Sequence, residues 1–157
     1  MAKNLSEKFY QKLKKLELRY PNKTALMLPA LHLAQDEYGW LPDEVLDEVA
    51  EYIGCHPAQV REVASFYTMY NLKPVGKYHL KICTNVACML RGSDELVSHC
   101  KKRFNVEQGG TSADRRFTLS EEECLGSCGT APTMLMNGKY YENLDKDSLD
   151  QLLDGLE

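Results

Sequence analysis

Apolar residues recur every three or four positions through the first 72 residues, and at every second position in short runs beyond them. Leu5, Phe9, Leu13 and Leu16, with lysines between them, predict an amphipathic helix that stops at Pro21-Asn22. A second helix is predicted over 24–38, with Leu31, Ala34 and Tyr38 on one face and Gly39 as its stop. Pro29 must then lie in the first turn or bend the helix. Pro42 reads as a first helical position, followed by Asp43 and Glu44 at the positive end of the helix dipole. Val45, Leu46, Val49 and Ile53 form the buried face there. Gly54 ends that helix, and Pro57 starts another with Val60, Val63, Ala64 and Tyr67 turned inward. Four short helices with short connections predict a small bundle.

The pattern changes across 71–76. Residues 77–82 alternate in period two and predict a strand. Leu96, Val97, Cys100 and Phe104 fit one face of a following helix, and 116–119 a second strand. Residues 132–136 and 139–141 flank Asn137-Gly138, the dipeptide that favours a type I′ hairpin turn. Ser148, Leu149, Leu152, Leu153 and Leu156 predict a closing helix. The order β-α-β-loop-β-β-α is that of an α/β sandwich of the thioredoxin-like kind. The predicted domains are a helical bundle over 1–74 and an α/β domain over 75–157. No internal repeat or low-complexity segment interrupts them.

Composition narrows the class. Apolar residues make up 43%, aromatics 9% and charged residues 27%, which argues for packed cores and against disorder. The net charge of −4, with no basic block, argues against general nucleic-acid binding. The longest apolar stretch, 25–34, is broken by Pro29 and His32 and falls short of a membrane span. The first ten residues carry Lys3, Glu7 and Lys8 and lack the apolar region of a secretory signal, so a cytoplasmic protein is expected. Residues 1–24 hold seven basic groups and two acidic ones, and 36–51 hold seven acids and no base. Two solvated helix faces explain this contrast, and a docking surface is the alternative.

Cysteine carries the chemistry. The six cysteines stand at 55, 83, 88, 100, 124 and 128, with none before 55. That is many for a reducing compartment and too localised for a disulfide scaffold, so ligands or redox thiols are expected. Cys83 with Cys88, and Cys124 with Cys128, form two close pairs, each predicted to lie in a loop after a strand or turn. Two pairs of thiolates make a four-sulfur site suited to zinc or an iron–sulfur cluster. The spacing leaves zinc open. It lacks the C-x₂-C-x₂-C run of clustered four-iron centres, the C-x₄-C-x₂-C of plant-type ferredoxins and the C-x-x-C of a thioredoxin redox pair. Cys55-His56 has no second histidine–cysteine partner for a Rieske centre.

Residues 33–42 (LAQDEYGWLP), 65–70 (SFYTMY), 73–78 (KPVGKY), 83–92 and 124–132 (CLGSCGTAP) are more specific than any one motif. Together they resemble the [2Fe–2S] E-subunit family of bacterial respiratory NADH-quinone oxidoreductase, the 24 kDa subunit family of complex I. The likeness runs from Tyr20-Pro21 onward. It implies a helical bundle followed by a thioredoxin-like [2Fe–2S] ferredoxin domain, with Cys83, Cys88, Cys124 and Cys128 as the four ligands of one [2Fe–2S] cluster. It implies an electron-transfer subunit that exchanges single electrons with the FMN of a partner flavoprotein, the subunit that binds NADH. The chain is then part of an NADH dehydrogenase without a complete active site of its own, peripheral to the inner membrane through the complex. Asp114-Arg115-Arg116 departs from the Asp-Gly turn of many relatives.

This chain has no GxGxxG fingerprint or phosphate-binding loop, which places the nucleotides on the partner. Related assemblies fit the same residues: the diaphorase part of an NAD-linked hydrogenase or formate dehydrogenase, a stand-alone [2Fe–2S] ferredoxin, or a non-redox Cys₄ zinc module. Cys100 reads as a small buried hydrophobe and Cys55 as structural. His32, His79 and His99 read as packing or surface residues, and Trp40, Phe66, Tyr67 and Tyr70 as core and inter-helix packing. Residues 121–123, three glutamates beside Cys124, read as a solvated turn.

Overall fold

The computed structural model describes residues 4–156; residues 1–3 and 157, at the outer ends of the two predicted domains, lie outside the described residues. Between Pro74 and Val75 the chain separates into two compact units. The first consists of α1 (Glu7–Glu17), α2 (Met27–Tyr38), α3 (Asp43–Ile53) and α4 (Pro57–Phe66), with a 3₁₀ turn over Thr24–Leu26. Ser6 caps α1 by accepting the Phe9 N–H. Glu48 of α3 secures the entry to that helix, accepting the Asn4 N–H at 2.8 Å and the Tyr10 hydroxyl. Pro29 falls in the first turn of α2, where its missing N–H breaks no intrahelical bond. Pro42 caps α3 one residue ahead of the helix instead of opening it.

Phe9, Leu13, Leu26, Leu31, Val45 and Val49 are fully buried at the centre of this unit, and Val60 and Ala64 join them from α4. Three aromatic assignments need correction. Tyr38 and Tyr67 are exposed, and Phe66 is 76% exposed instead of packing between helices. The apolar stripe of α2 outlasts the core by one turn. Tyr67 is the extended residue after α4, so the helical period no longer directs its side chain. Tyr70 is buried, with its hydroxyl donating to the Leu28 carbonyl at 3.0 Å.

The second unit holds β1 (Tyr78–Cys83), α5 (Val86–Leu90), α6 (Ser93–Phe104), β2 (Phe117–Glu122), a 3₁₀ turn over Cys128–Thr130, β3 (Met134–Met136), β4 (Lys139–Tyr141) and α7 (Lys146–Asp154). The sheet order is β2-β1-β3-β4, with β1 and β2 parallel and the other pairings antiparallel. Leu80, Ile82, Leu119 and Met134 pack in one core with Leu96, Val97 and Cys100 of α6 and Leu149 and Leu153 of α7. Asn137 and Gly138 both take positive φ (49° and 82°), as a type I′ turn requires. Asn137 also clasps the start of β1, accepting the His79 N–H at 2.9 Å and donating to the Lys77 carbonyl at 2.8 Å. His99 is more than a packing residue: its Nε2 lies 2.7 Å from Asp150, and with Arg103 it ties α6 to α7. No helix of the described residues is long and apolar enough to cross a membrane.

Of residues 121–123, only Glu123 lies in an exposed bend. Glu121 and Glu122 belong to β2 and pair with Lys101 at 3.0 Å and Lys81 at 3.1 Å. Period two lets a glutamate occupy a strand when a lysine on a neighbouring element faces it.

His79 sits among these polar partners, with its Nε2 2.8 Å from the Ser120 hydroxyl. Burial, helped by the nearby charge of Lys81 and opposed by Glu122, lowers its pKa to about 4. The unfolded chain binds this proton near 6.5, so the stability associated with neutral His79 is present above that value and lost as pH falls toward 4. Between pH 7 and pH 5 the expected loss is on the order of 2 kcal/mol. Urea unfolding at both pH values should show it, and His79→Gln, which can still bond Ser120, should flatten the difference. The same pH dependence in the variant would exclude His79 as its source.

At the departing turn, Arg115 takes φ 58°. The Lys77 N–H binds its carbonyl at 3.1 Å, and Gly76 approaches so closely that an added Cβ would meet that carbonyl oxygen at 2.9 Å. A left-handed backbone costs a residue with a Cβ roughly 1 kcal/mol, partly offset by the greater entropy loss of glycine. Arg115→Gly is therefore expected to stabilise the protein by about 0.5 kcal/mol. A calorimetric melting temperature at or below that of the wild type would count against strain at this turn.

Candidate metal centre

The parallel register places Cys83, the last residue of β1, opposite Glu122, the last of β2. Both strands therefore release their cysteine segments at the same end of the sheet. After β1, Asn85 caps α5, its side chain accepting the Val86 N–H at 2.9 Å. This five-residue helix carries Cys88 inward and leaves Val86, Met89 and Leu90 exposed. The first pair therefore spans a strand end and a short helix instead of one loop. No apolar period marks α5 in advance, because five residues complete barely more than one turn.

The second pair follows β2. Cys124 lies in a loop, Gly126 turns the chain at φ 74°, and Cys128 opens the second 3₁₀ turn. Cys83 and Cys88 are buried with Ala131, while Cys124 and Cys128 are exposed. All six cysteines are free thiols. Cys83 lies close enough to Cys88 and Cys124 for each to act on its ionisation, and Cys88 lies within electrostatic reach of Cys128. Cys55 and Cys100 stand apart: Cys100 in the core of the second unit, and Cys55 partly buried against the core of the first.

The backbone supplies donors to these sulfurs. The N–H groups of Asn85 and Leu125 point at Cys83, that of Thr133 at Cys88, and that of Gly126 at the Cys124 Sγ at 3.3 Å. Burial opposes ionisation of Cys83, but those N–H groups and the two neighbouring thiols outweigh it and hold its pKa below the ordinary value. Cys88 moves the other way, raised by burial and by the adjacent Cys83. Burial pushes Cys100 up to about 12, which makes it a poor thiolate and a good small hydrophobe.

This donor set fits an iron–sulfur core. Thiolates are its protein ligands, and N–H groups directed at sulfur tune such clusters. The donors from Leu125 and Thr133 were not among the sequence candidates, because backbone N–H groups leave no residue-type signature.

Comparison with known proteins adds the family. Residues 13–157 match the family described as thioredoxin-like [2Fe–2S] ferredoxin. The chain is 45% identical over 136 residues to the NADH-quinone oxidoreductase E 2 subunit of Rhizobium meliloti (strain 1021), covering 87% of this chain and 81% of the relative. It is 43% identical to the NADH-quinone oxidoreductase E-subunit of Rickettsia conorii (strain ATCC VR-613 / Malish 7), covering 98% and 90%. Among solved structures it resembles NAD⁺-reducing [NiFe]-hydrogenase in the air-oxidized state, with a TM-score of 0.73 and 27% identity, covering 82% of this chain and 22% of that one.

Proposed function

We propose, from the premise that the chain belongs to the thioredoxin-like [2Fe–2S] ferredoxin family, that it is the electron-transfer E-subunit of an NADH-quinone oxidoreductase. It carries one [2Fe–2S] cluster, held by Cys83, Cys88, Cys124 and Cys128. The observation that supports this ligand set is the convergence of those four thiols, with backbone N–H groups directed at three of them. The cluster supplies storage for one electron at a time, set in potential by its ligands, hydrogen bonds and burial.

The residues of the chain divide the remaining work. Ala131 packs with Cys83 and Cys88, and Leu125 packs against that cluster from the second cysteine segment. This limits water at the inner pair, while Cys124 and Cys128 keep the site open on one side for electron exchange. The large exposed apolar side chains of the second unit are Val86, Met89, Leu90 and Tyr140. Three of them lie on α5, and the Tyr140 hydroxyl donates to the Leu125 carbonyl in the second cysteine segment at 3.1 Å. Apolar surface collected around a redox site suits a partner that must approach it closely. We assign that partner as the FMN- and NADH-binding flavoprotein of the complex, with the chain peripheral to the inner membrane on its cytoplasmic side.

A second reading, the diaphorase part of an NAD-linked hydrogenase, is favoured by the structural likeness to NAD⁺-reducing [NiFe]-hydrogenase. The identity of the co-purifying subunits separates the two. The proposal predicts iron and acid-labile sulfide in equal amounts, a [2Fe–2S] visible spectrum, and co-purification with a flavoprotein that oxidises NADH. Zinc without sulfide, or a chain that remains a monomer beside that flavoprotein, would sink it.

A further inference from the structure

The segment from Tyr140 to Leu144 runs beside the second cysteine loop and is bonded to it at several points. The Tyr140 hydroxyl donates to the Leu125 carbonyl at 3.1 Å, and the Asn143 N–H to the Thr130 carbonyl at 2.7 Å. The Leu144 N–H donates to the Pro132 carbonyl at 3.1 Å. Between these ties, one oxygen of Glu142 accepts the Thr130 hydroxyl at 2.6 Å and the Ser127 hydroxyl. Ser127 stands immediately before Cys128, and Thr130 closes the 3₁₀ turn that Cys128 opens. We infer that Glu142 is a positioning residue for the second cysteine pair, its carboxylate gathering the Ser127 and Thr130 hydroxyls and so fixing how the exposed loop presents Cys124 and Cys128. The inference rests on the ligand set proposed above.

Three features carry it. Cys124 and Cys128 are the exposed half of the set, so core packing does little to hold them. Their loop includes Gly126 at positive φ and Gly129, and it depends on outside ties for a single conformation. Glu142 also gathers two hydroxyls from within and beyond the ligand spacing at one acceptor, and hydrogen bonds to an ionised acceptor are stronger than neutral ones. Ser127 and Thr130 lie only 2.7 Å apart by their hydroxyl oxygens, an arrangement that a shared acceptor stabilises.

The test uses the full chain, reconstituted with iron and sulfide, as wild type, Glu142→Ala and Glu142→Gln. Glutamine retains an acceptor oxygen of similar reach but removes the charge. Glu142→Ala should lose its cluster to EDTA severalfold faster than wild type and show an altered visible circular dichroism and reduced-state paramagnetic resonance signature. Glu142→Gln should restore the wild-type signature and most of the lifetime, while its midpoint potential shifts upward because one negative charge is gone. An alanine variant with wild-type lifetime and spectra would overturn the inference, as would a glutamine variant no better than alanine. A wild-type chain that takes up no iron and sulfide would instead overturn the ligand assignment itself, so the two failures are distinguishable.

Discussion

Alanine at Cys83, Cys88, Cys124 or Cys128 is expected to abolish the cluster, while alanine at Cys55 or Cys100 leaves iron and sulfide at wild-type levels. Removing a ligand thiolate opens a coordination position that water fills poorly, and each of the four sulfurs lies in the convergent group. Serine at the same four positions should rescue part of the cluster, because an alkoxide ligates iron weakly. The two bystanders lie outside that group and serve packing. Cys100 is completely buried on α6 against Leu96 and Val97, and Cys55 packs at the margin of the helical core. Cys100→Ala should cost only the packing of one small side chain, on the order of 1 kcal/mol. Iron and sulfide content and the reduced-state resonance signal, measured on all six alanine variants, decide the matter. A normal signal from any of the four, or a missing one from a folded Cys55 or Cys100 variant, reverses the assignment.

The second large effect is a division of labour. A chain beginning near Lys73 is expected to fold and take up a cluster, yet fail to bind the flavoprotein firmly. Every hydrogen bond described around the four cysteines comes from residues within 75–157, and that unit has its own core of β1, β2, β3, α6 and α7. The helical unit has a separate core and contributes nothing to cluster ligation in this reading. It does offer surface for a partner. A groove of about 540 Å³ is lined by Trp40, Leu41, Pro42, Leu46, Ala58 and Leu72 together with Asp43, Arg61 and Glu62. Phe66 also remains exposed. The visible spectrum of the fragment and its retention by immobilised flavoprotein, each compared with the full chain, test both halves of this expectation. A fragment bound as tightly as the full chain would remove the docking role of the helical unit.

The longer helices, the hairpin and the cysteine spacing were readable along the chain because each depends on chemistry within a few residues. Gly39 and Gly54 at helix ends and Asn137-Gly138 at a turn act on their immediate neighbours, and the periods of 3.6 and 2 are local as well. Tyr38 and Phe66 show where such reasoning stops, since an apolar stripe does not reveal whether a neighbour covers its last turn. Glu121 and Glu122 show it again: their place in β2 depends on Lys101 and Lys81, about twenty and forty residues away.

The sequence alone therefore determined the structural class, and it proposed a boundary near residue 74 and a four-thiol site with iron–sulfur or zinc as its candidates. Tertiary structure decided how those thiols meet. The parallel register of β1 and β2 aligns Cys83 with Glu122, so residues far apart in sequence leave the sheet side by side. The same folding supplies the N–H groups of Leu125 and Thr133 and brings Glu142 to Ser127 and Thr130. Strand register is set by long-range pairing and by burial of one sheet face, which no short stretch of sequence encodes by itself.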